Sequence, residues 1–255
     1  MLDHLSSSQI NLYLQCSLKY KFQYIDTLPK PFRPSGLAFG SVIHSALSWF
    51  HKERMNGNGV TLERFYRIFD ADWYSLKVDT DIRYKYGEAD MKLVVMAKEM
   101  LGLYFHNPIK EVKGTEVPFV IPLINPSNGK NLGIDLEGII DLIEADETIV
   151  EFKTSSQTIN QKDINDHLQL TAYSYAYEML YRKPPKLLKV INFVKTKKPK
   201  MITMETKRGK TDYQRFFNLA SQILKGIESQ IFFPRTSFMC KDCEYERHCK
   251  AWNGT

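Results

Sequence analysis

The stretch GIIDLIEADETIVEFK, residues 138–153, has the pattern of two strands joined by a tight turn. Glu151 and Lys153 are two residues apart, and residues with that spacing on a strand point to the same face. Val150 and Phe152 point to the opposite face, where they can join an apolar core. The stretch therefore predicts a sheet that carries charged side chains on one face and core residues on the other.

The register of this hairpin decides whether Asp141 faces Glu151. A turn centred on Asp146 places Asp141 opposite Glu151, with the two Cβ atoms about 5 Å apart. A two-residue turn would shift the pairing by one residue and put the two carboxylates on opposite faces. The sequence is compatible with both registers.

Two facing carboxylates repel each other and favour a compensating positive charge. Lys153 can supply part of that charge, and a divalent cation can supply more. Oxygen ligands suit Mg²⁺ or Mn²⁺, and such a metal can activate water and neutralise charge on a phosphoryl oxygen. The simpler alternative is a surface hairpin with an ordinary Glu–Lys pair, because this spacing also occurs by chance.

The segments on either side of the hairpin predict a mixed α/β domain, with helices first and a central sheet after them. Hydrophobic spacing predicts strands at 116–123, 133–144, 148–154, 187–194 and 201–205. It predicts helices at 7–24, 38–55, 88–105, 163–181 and 212–230, and another that begins after Thr61. This order of elements is that of the α/β fold class.

Composition excludes several classes of protein. The 255 residues are 43% hydrophobic and 25% charged, which is ordinary for a globular chain and excludes a disordered or coiled-coil protein. The net charge of +6 permits a nucleic-acid partner without requiring one. No apolar run approaches the roughly 18 residues of a membrane span, and the first residues lack the pattern of a signal peptide. We expect a cytoplasmic protein without a membrane partner.

Four motifs resemble those of one nuclease family, in the order that the family has them. Asp141 with Glu151-Phe152-Lys153 resembles the PD-(D/E)XK nuclease motif. Gly40-Ser-Val-Ile-His44 and Gln169-Leu-Thr-Ala-Tyr173 resemble the G-x3-H and Q-x3-Y motifs of its RecB-like branch. Cys16 with Cys240-x2-Cys243-x5-Cys249 resembles the iron–sulfur variant of CRISPR-associated RecB-like exonucleases and of the AddB nuclease domain. The resemblance extends over nearly the whole chain.

The resemblance implies a restriction-endonuclease-like fold: a central mixed sheet flanked by helices, with a helical N-terminal insertion and an iron–sulfur-bound C-terminal tail. It implies one RecB-like nuclease domain over residues 1–255. Within it, the insertion would span about 38–110 and the catalytic core about 115–230, with cluster-binding segments at 16 and 240–249.

The resemblance also implies the role of each site residue. The Mg²⁺ or Mn²⁺ ligands would be His44, Asp141, Glu151 and the backbone carbonyl of Phe152. Lys153 would be catalytic, and Gln169 and Tyr173 would position the DNA strand or Lys153. The chain departs from the family pattern at Ile140, which occupies the often variable first position of the PD pair.

Some of these residues have plainer interpretations. A lone histidine among apolar positions, as His44 is, is more often a core or boundary residue. Only the family motif favours the interpretation of His44 as a metal ligand. His51, further along the same helix, is expected at the surface. Gln169 suits a polar cleft, because a buried amide needs hydrogen-bond partners. Tyr177 and Tyr181 are expected in the core.

The four cysteines admit three interpretations. A disulfide is disfavoured in a reducing compartment. Four thiolates can hold a tetrahedral zinc ion or an iron–sulfur cluster. One remote cysteine followed by three clustered ones differs from the two close pairs of most zinc sites, and the resemblance favours [4Fe–4S]. Zinc remains the alternative occupant.

A lysine-rich turn suggests a second, weaker DNA contact. Its lysines are Lys195, Lys197, Lys198 and Lys200, and Lys207, Arg208 and Lys210 follow closely. Such turns are usually only solvated, but they can also contact phosphates without reading sequence.

The leading functional hypothesis is a metal-dependent DNA nuclease, an exonuclease on single-stranded DNA ends. It would act in DNA repair and recombination or in CRISPR adaptation, with a helicase or adaptation proteins as partners. The alternative is a non-catalytic DNA-binding or assembly subunit that keeps the nuclease fold. A zinc-stabilised interaction protein is a third possibility, but it leaves the Asp141–Glu151–Lys153 group unexplained.

Overall fold

The computed structural model describes residues 2–254 and has a mixed sheet at its centre. The strands of this sheet are β1 (His4–Ser6), β4 (Val112–Ile124), β5 (Asn131–Glu144), β6 (Ile149–Ser155), β7 (Leu188–Val194) and β8 (Lys200–Thr206). β4–β5, β5–β6 and β7–β8 pair antiparallel, whereas β1–β5 and β6–β7 pair parallel. The predicted mixed α/β fold with a central sheet is confirmed.

Helices flank this sheet. They are α1 (Ser7–Gln15), α2 (Ser17–Tyr20), α3 (Ser35–Met55), α4 (Leu62–Asp79), α5 (Asp90–His106), α6 (Gln161–Asn165), α7 (Leu168–Tyr181), α8 (Lys210–Glu228) and α9 (Glu246–Ala251). A π-helical turn follows α2 at Lys21–Ile25, and a 3₁₀ turn occupies Phe238–Asp242. Two short strands, β2 (Arg33–Pro34) and β3 (Ile82–Arg83), pair apart from the main sheet. Thr61 caps α4 as predicted, accepting a hydrogen bond from the Arg64 amide.

A gap opens in the sheet on one edge of β5. β4 pairs with the other edge of β5 along most of the length of β5. β1 and β6 therefore share the remaining edge. β1 pairs with β5 at residues 135–137, and β6 pairs with it at Leu142 and Ile143. Within the described chain, residues 138–141 therefore lack a neighbouring strand on this edge. Asp141 lies in this gap, which we call the β5–β6 gap.

The hairpin register is the one centred on Asp146. Leu142 pairs with Val150 and Ile143 pairs with Ile149. Continued by one residue, the same register places Asp141 opposite Glu151, although the strands have by then begun to diverge.

The sheet separates two apolar cores. Val150 and Phe152 belong to the core formed with α3, α4 and α5, as their predicted orientation requires. Ile149 belongs to the other core, which includes residues of α1, α7 and α8. Because side chains alternate along a strand, Glu151 and Lys153 point to the α7 side of the sheet.

Two predicted helices are in fact interrupted. The prediction of one helix at 7–24 is wrong, because Cys16 is extended and its Sγ accepts a hydrogen bond from the Lys19 amide at 3.4 Å. Cys16 thus ends α1 and caps α2. The prediction of one helix at 163–181 is wrong in the same way, since the backbone breaks at Asp166 and His167 between α6 and α7.

The segments near the two ends of the described chain are held together. The Leu18 amide donates to the Phe233 carbonyl at 3.1 Å, and the Tyr13 hydroxyl donates to the Ile231 carbonyl at 2.8 Å. Arg235 donates to the Leu14 carbonyl at 3.0 Å. In residues 2–254, no helix has the length and apolar character needed to cross a membrane.

Candidate active site

Asp141 is fixed in the β5–β6 gap by two donors on different elements. The Phe152 amide of β6 donates to Asp141 Oδ2 at 2.8 Å, and His44 Nδ1 of α3 lies 3.3 Å from the same oxygen. Burial alone would raise the pKa of Asp141, but these two groups hold it below its usual value. Asp141 is therefore an ionised carboxylate with a fixed orientation.

Glu151 lies inside the protein with little to satisfy its charge. The residue is 0% exposed, and neither carboxylate oxygen has a hydrogen-bond partner of acceptable geometry. Lys153 Nζ lies 2.5 Å from Oε1, so the contact is an ion pair by distance only. Burial raises the pKa of Glu151 to about 7; the Asp141 charge adds to this increase, and Lys153 opposes it. Such a carboxylate is poised to bind a cation.

A chain of hydrogen bonds connects Lys153 to the backbone of β5. Lys153 Nζ donates to Gln169 Oε1 at 2.7 Å, and Gln169 Nε2 donates to the Tyr173 hydroxyl at 2.7 Å. Tyr173 then donates to the Ile139 carbonyl, which lies in the unpaired part of β5. Burial, together with the charges of Glu151 and Asp141, raises the pKa of Tyr173 well above its usual value. The hydroxyl stays protonated, so it can hold both partners.

His44 enters the site from the opposite face of the sheet. His44 lies on α3, one turn after Gly40. Gly40 packs closely against β6, since a Cβ at this position would lie 3.2 Å from Thr154 Oγ1. Burial opposes protonation of His44, but the neighbouring Asp141 carboxylate raises its pKa on balance. The side chain is 32% exposed, so His44 lies at the boundary of the core and not within it.

The donor set suits a hard divalent cation, although the described residues do not form a closed metal cage. Among residues 2–254, no three His, Cys, Asp or Glu side chains are arranged as a ready metal-binding group. The buried Glu151 oxygens without hydrogen bonds are nevertheless carboxylate donors beside Asp141, and Mg²⁺ is commonly held by one or two carboxylates and waters. The Phe152 carbonyl lies on the strand between Glu151 and Lys153.

The four cysteines line one cavity of about 200 Å³, together with Leu18 and Lys19 of α2. All four are free thiols in the structure, and Cys16 reaches the cavity from the break between α1 and α2. Burial raises the pKa of the Cys249 thiol, and the other three cysteines add to the shift through their negative charge. The structure thus brings Cys16 to Cys240, Cys243 and Cys249, although they too do not form a ready metal-binding group.

The lysine-rich turn is divided between a half-buried and an exposed part. Lys195 is half-buried, with its ammonium 5.3 Å from the centre of the Phe39 ring. The side chains of Lys197, Lys198 and Lys200 are exposed.

Arg208, grouped with these cations by sequence, is engaged inside the protein. It donates to the Thr171 hydroxyl at 2.8 Å and to the Ile164 carbonyl at 2.7 Å. The guanidinium therefore holds the start of α7, which carries Gln169. Sequence reasoning missed this role, because nothing in the local pattern shows that Arg208 folds back on α7.

Two other expectations are wrong. His51 is 1% exposed, not at the surface, and it shares a 2.7 Å hydrogen bond with the Tyr104 hydroxyl. Burial lowers the pKa of His51 to about 4. Tyr181 is 40% exposed, whereas Tyr177 is buried as expected. A helix position alone could not reveal that α5 covers His51.

Asp141, Glu151 and Lys153 lie on neighbouring strands of a mixed sheet flanked by helices, and comparison with known proteins identifies the family. The model of the PD-(D/E)XK nuclease superfamily matches residues 4–250. The chain belongs to this superfamily. Comparison with curated proteins gives no match.

Two solved structures are similar in fold. One is a protein from Eubacterium rectale provisionally described as an exonuclease: it is 12% identical, with a TM-score of 0.61, and the match covers 99% of this chain and 90% of that one. The other is the protein SSO0001, at 16% identity and a TM-score of 0.41, with 92% and 94% covered. At 12% identity, the similarity to the Eubacterium rectale protein shows a shared fold and no more than that.

Proposed function

We propose that this protein is a divalent-metal-dependent deoxyribonuclease that acts on the ends of single-stranded DNA. The observation that carries the proposal is the Glu151 carboxylate, fully buried and without hydrogen bonds beside Asp141. Burying such a charge is costly for a folded chain even beside the Lys153 ammonium, and a bound cation would lower that cost. Membership of a nuclease superfamily supports the same conclusion.

The proposed metal ligands are Asp141, Glu151, His44 and the Phe152 carbonyl. When bound, Mg²⁺ or Mn²⁺ would activate a water and neutralise charge on the phosphoryl oxygens. Hydrolysis joins the water oxygen to phosphorus and breaks one P–O ester bond, which leaves a phosphomonoester and a hydroxyl group.

The protein's own contribution is to orient charge around the phosphate. Lys153 is the proposed catalytic cation. Its ammonium forms an ion pair with the Glu151 carboxylate and donates a hydrogen bond to the Gln169 side chain. Tyr173 fixes that amide against the Ile139 carbonyl. Charge placed before the reaction stabilises the developing negative charge without further reorganisation. Gln169 and Tyr173 are thus positioning residues for Lys153.

We also propose that the protein is a RecB-like member with a [4Fe–4S] cluster on Cys16, Cys240, Cys243 and Cys249. Their shared cavity and the motif resemblance support this assignment. The cluster would be structural, because it would join the N-terminal helices to the C-terminal tail. DNA repair, recombination or CRISPR adaptation, with a helicase or adaptation proteins as partners, is the context that the resemblance favours.

The test is cleavage of end-labelled DNA by anaerobically purified protein. We expect linear single-stranded DNA to be shortened with Mg²⁺ or Mn²⁺ and to stay intact with EDTA. Circular single-stranded DNA of the same sequence should resist, since it has no end. Asp141→Asn serves as the control for a contaminating nuclease. DNA binding without cleavage under every metal condition would instead support the non-catalytic subunit.

A further inference from the structure

A second cavity adjoins the cysteine cavity and shares Cys16, Cys240 and Cys243 with it, but none of the proposed ligands of the divalent metal lines it. It is a groove of about 500 Å³ between the C-terminal tail and the start of α3, which we call the tail groove. Its floor includes residues 154–156, at the end of β6, and Lys195, just after β7. Its volume lies within the roughly 300–1,000 Å³ of typical ligand sites.

The charge of the tail groove is mostly positive. Lys85, Lys195 and Arg235 line it from three separate segments of the chain. In the described part of the protein, none of the three forms an ion pair with a carboxylate within 4.0 Å. Lys19 also lines the groove but is paired with Glu244, and Asp242 is the carboxylate among the lining residues. Arg235 donates to the Leu14 carbonyl and Lys195 lies over the Phe39 ring, but three cations without a carboxylate at ion-pair distance favour an anionic ligand with several charges.

The groove also has apolar walls exposed to solvent. Phe238 of the 3₁₀ turn is 86% exposed, Leu37 of α3 is 59% exposed, and Met239 is 50% exposed. A flat ring next to phosphate-binding cations is the combination used for single-stranded nucleic acids, where bases stack on aromatic faces while cations follow the backbone. A small anion such as phosphate would make no use of the ring.

The tail groove and the candidate active site share the elements α3 and β6. Leu37 lines the groove and His44 contacts Asp141, and these residues are seven positions apart on one helix. At 1.5 Å per residue, that separation is about 10 Å. Thr154, on the groove floor, directly follows Lys153. At about 3.4 Å per stacked nucleotide, roughly three nucleotides bridge the distance.

We propose that the tail groove binds the single-stranded DNA substrate about three nucleotides from the phosphate that is cut. Phe238 stacks on a base, and Lys85, Lys195 and Arg235 contact phosphates. The proposal rests on the proposed function, because it assigns a strand path to that same site. Binding in the tail groove would not depend on the base sequence, because stacking and phosphate contacts do not recognise the edges of the bases.

The experiment measures binding of fluorescein-labelled oligothymidine, 12 nucleotides long, by fluorescence anisotropy in EDTA, so that cleavage cannot occur. Phe238→Ala should weaken binding about tenfold, and Phe238→Tyr should restore it. Lys85→Gln and Lys195→Gln should each lower the slope of log affinity against log salt by about 0.7. Tyr74→Ala and Lys183→Gln, exposed residues away from the groove, are the matched controls and should bind as the wild type does.

An abasic site moved along the oligonucleotide locates the stacked base. At one position, about three nucleotides from the cut, the abasic site should weaken binding of the wild type but not of Phe238→Ala, because the two changes remove the same contact. Thermal unfolding shows whether Phe238→Ala disturbs the nearby cysteines, and Lys85→Gln, on a separate loop, tests the groove independently.

The possible results separate the two proposals. If the wild type binds and cleaves DNA but the groove variants match the controls in affinity and salt slope, the strand path is wrong and the proposed function stands. If the wild type neither binds nor cleaves single-stranded DNA, the proposed function itself fails.

Discussion

The Phe152 amide donates a hydrogen bond to the Asp141 carboxylate at the point where β5 and β6 stop pairing as strands. A side chain thus takes the place of the backbone acceptor that a continued ladder would supply. The strands can diverge without leaving the Phe152 amide unpaired, and the carboxylate gains a fixed orientation. One hydrogen bond therefore serves both the fold and the candidate active site.

Asp141→Asn and Asp141→Ala should separate these two roles. Both variants should lose at least about a hundredfold in cleavage rate, because each removes the charge of a proposed metal ligand. Only Asp141→Ala leaves the Phe152 amide without an acceptor, so its free energy of unfolding should fall about 1–2 kcal/mol below that of Asp141→Asn. Chemical denaturation and cleavage of end-labelled DNA provide the two measurements. Wild-type activity in Asp141→Asn would contradict the proposed site.

Glu151 should make the metal-free protein less stable as the pH rises. Its pKa is about 7 in the folded protein and near 4.3 in an unfolded chain, so the unfolded state releases its proton first. The stabilisation is complete below about pH 4.3 and is lost as the pH approaches 7, by up to a few kcal/mol.

The comparison that isolates this effect is with Glu151→Gln in EDTA. The variant should lack the loss of stability between pH 4.3 and 7, while the His44 and Asp141 contributions remain in both proteins. Added Mg²⁺ should remove much of the difference at pH 8 by binding the ionised wild type. Parallel pH curves for the two proteins in EDTA would show that Glu151 titrates normally.

Tyr173→Phe should slow cleavage about tenfold while leaving metal binding nearly unchanged. The variant keeps the buried ring but removes the hydroxyl between Gln169 and the Ile139 carbonyl, and such supporting contacts are worth roughly 10- to 100-fold. Manganese affinity, measured calorimetrically, is the second readout. A loss of metal affinity as large as that of Asp141→Asn would assign Tyr173 to the metal site itself.

His51 should make the protein sensitive to acid. Burial lowers its pKa to about 4 from an unfolded value near 6.5. The neutral form is favoured by folding, so its contribution is present above pH 6.5 and is lost as the pH falls towards 4. His51→Gln should lose stability less steeply over that range, at the cost of a weaker contact with Tyr104. Identical slopes in acid denaturation would show that His51 is not responsible.

The cysteine assignment predicts that Cys16→Ser and Cys243→Ser lose iron and stability to a similar extent, despite their distance in sequence. Anaerobically purified wild type should be brown, with about four iron and four sulfide per chain. His248→Ala is the matched control, because His248 adjoins Cys249 and would be a ligand only in a zinc site of mixed type. Stoichiometric zinc in colourless protein would overturn the iron assignment. The proposal that one metal site joins Cys16 to the three C-terminal cysteines would still stand.

Sequence reasoning succeeded where the pattern was local and repeated. The β5–β6 hairpin and the orientation of Val150 and Phe152 follow from alternation along a strand, whereas two registers were compatible with the sequence and the structure selects the one centred on Asp146. The breaks at Cys16 and His167 could not be predicted in this way, because helical spacing continues across both. At the first break the Cys16 side chain caps α2, and at the second Arg208, some 40 residues away, donates to the His167 carbonyl.

The same limit explains His51 and the β5–β6 gap. His51 is buried only because Tyr104 of α5 packs over it, a contact between distant segments that no local pattern encodes. The gap exists because β1 and β6 pair with different halves of one edge of β5. Hydrophobic spacing predicts that a segment is a strand but not which part of its neighbour it pairs with. The gap that leaves Asp141 without a paired strand on that edge could therefore not be predicted.

The hydrogen bonds between residues 13–18 and 231–235 close the described chain nearly into a ring. Opening the chain in the exposed turn at 56–59 would break none of these hydrogen bonds and none of the strand pairings. The two resulting pieces would stay joined through residues 13–18 and 231–235, and Cys16 would remain beside the cysteine-bearing tail.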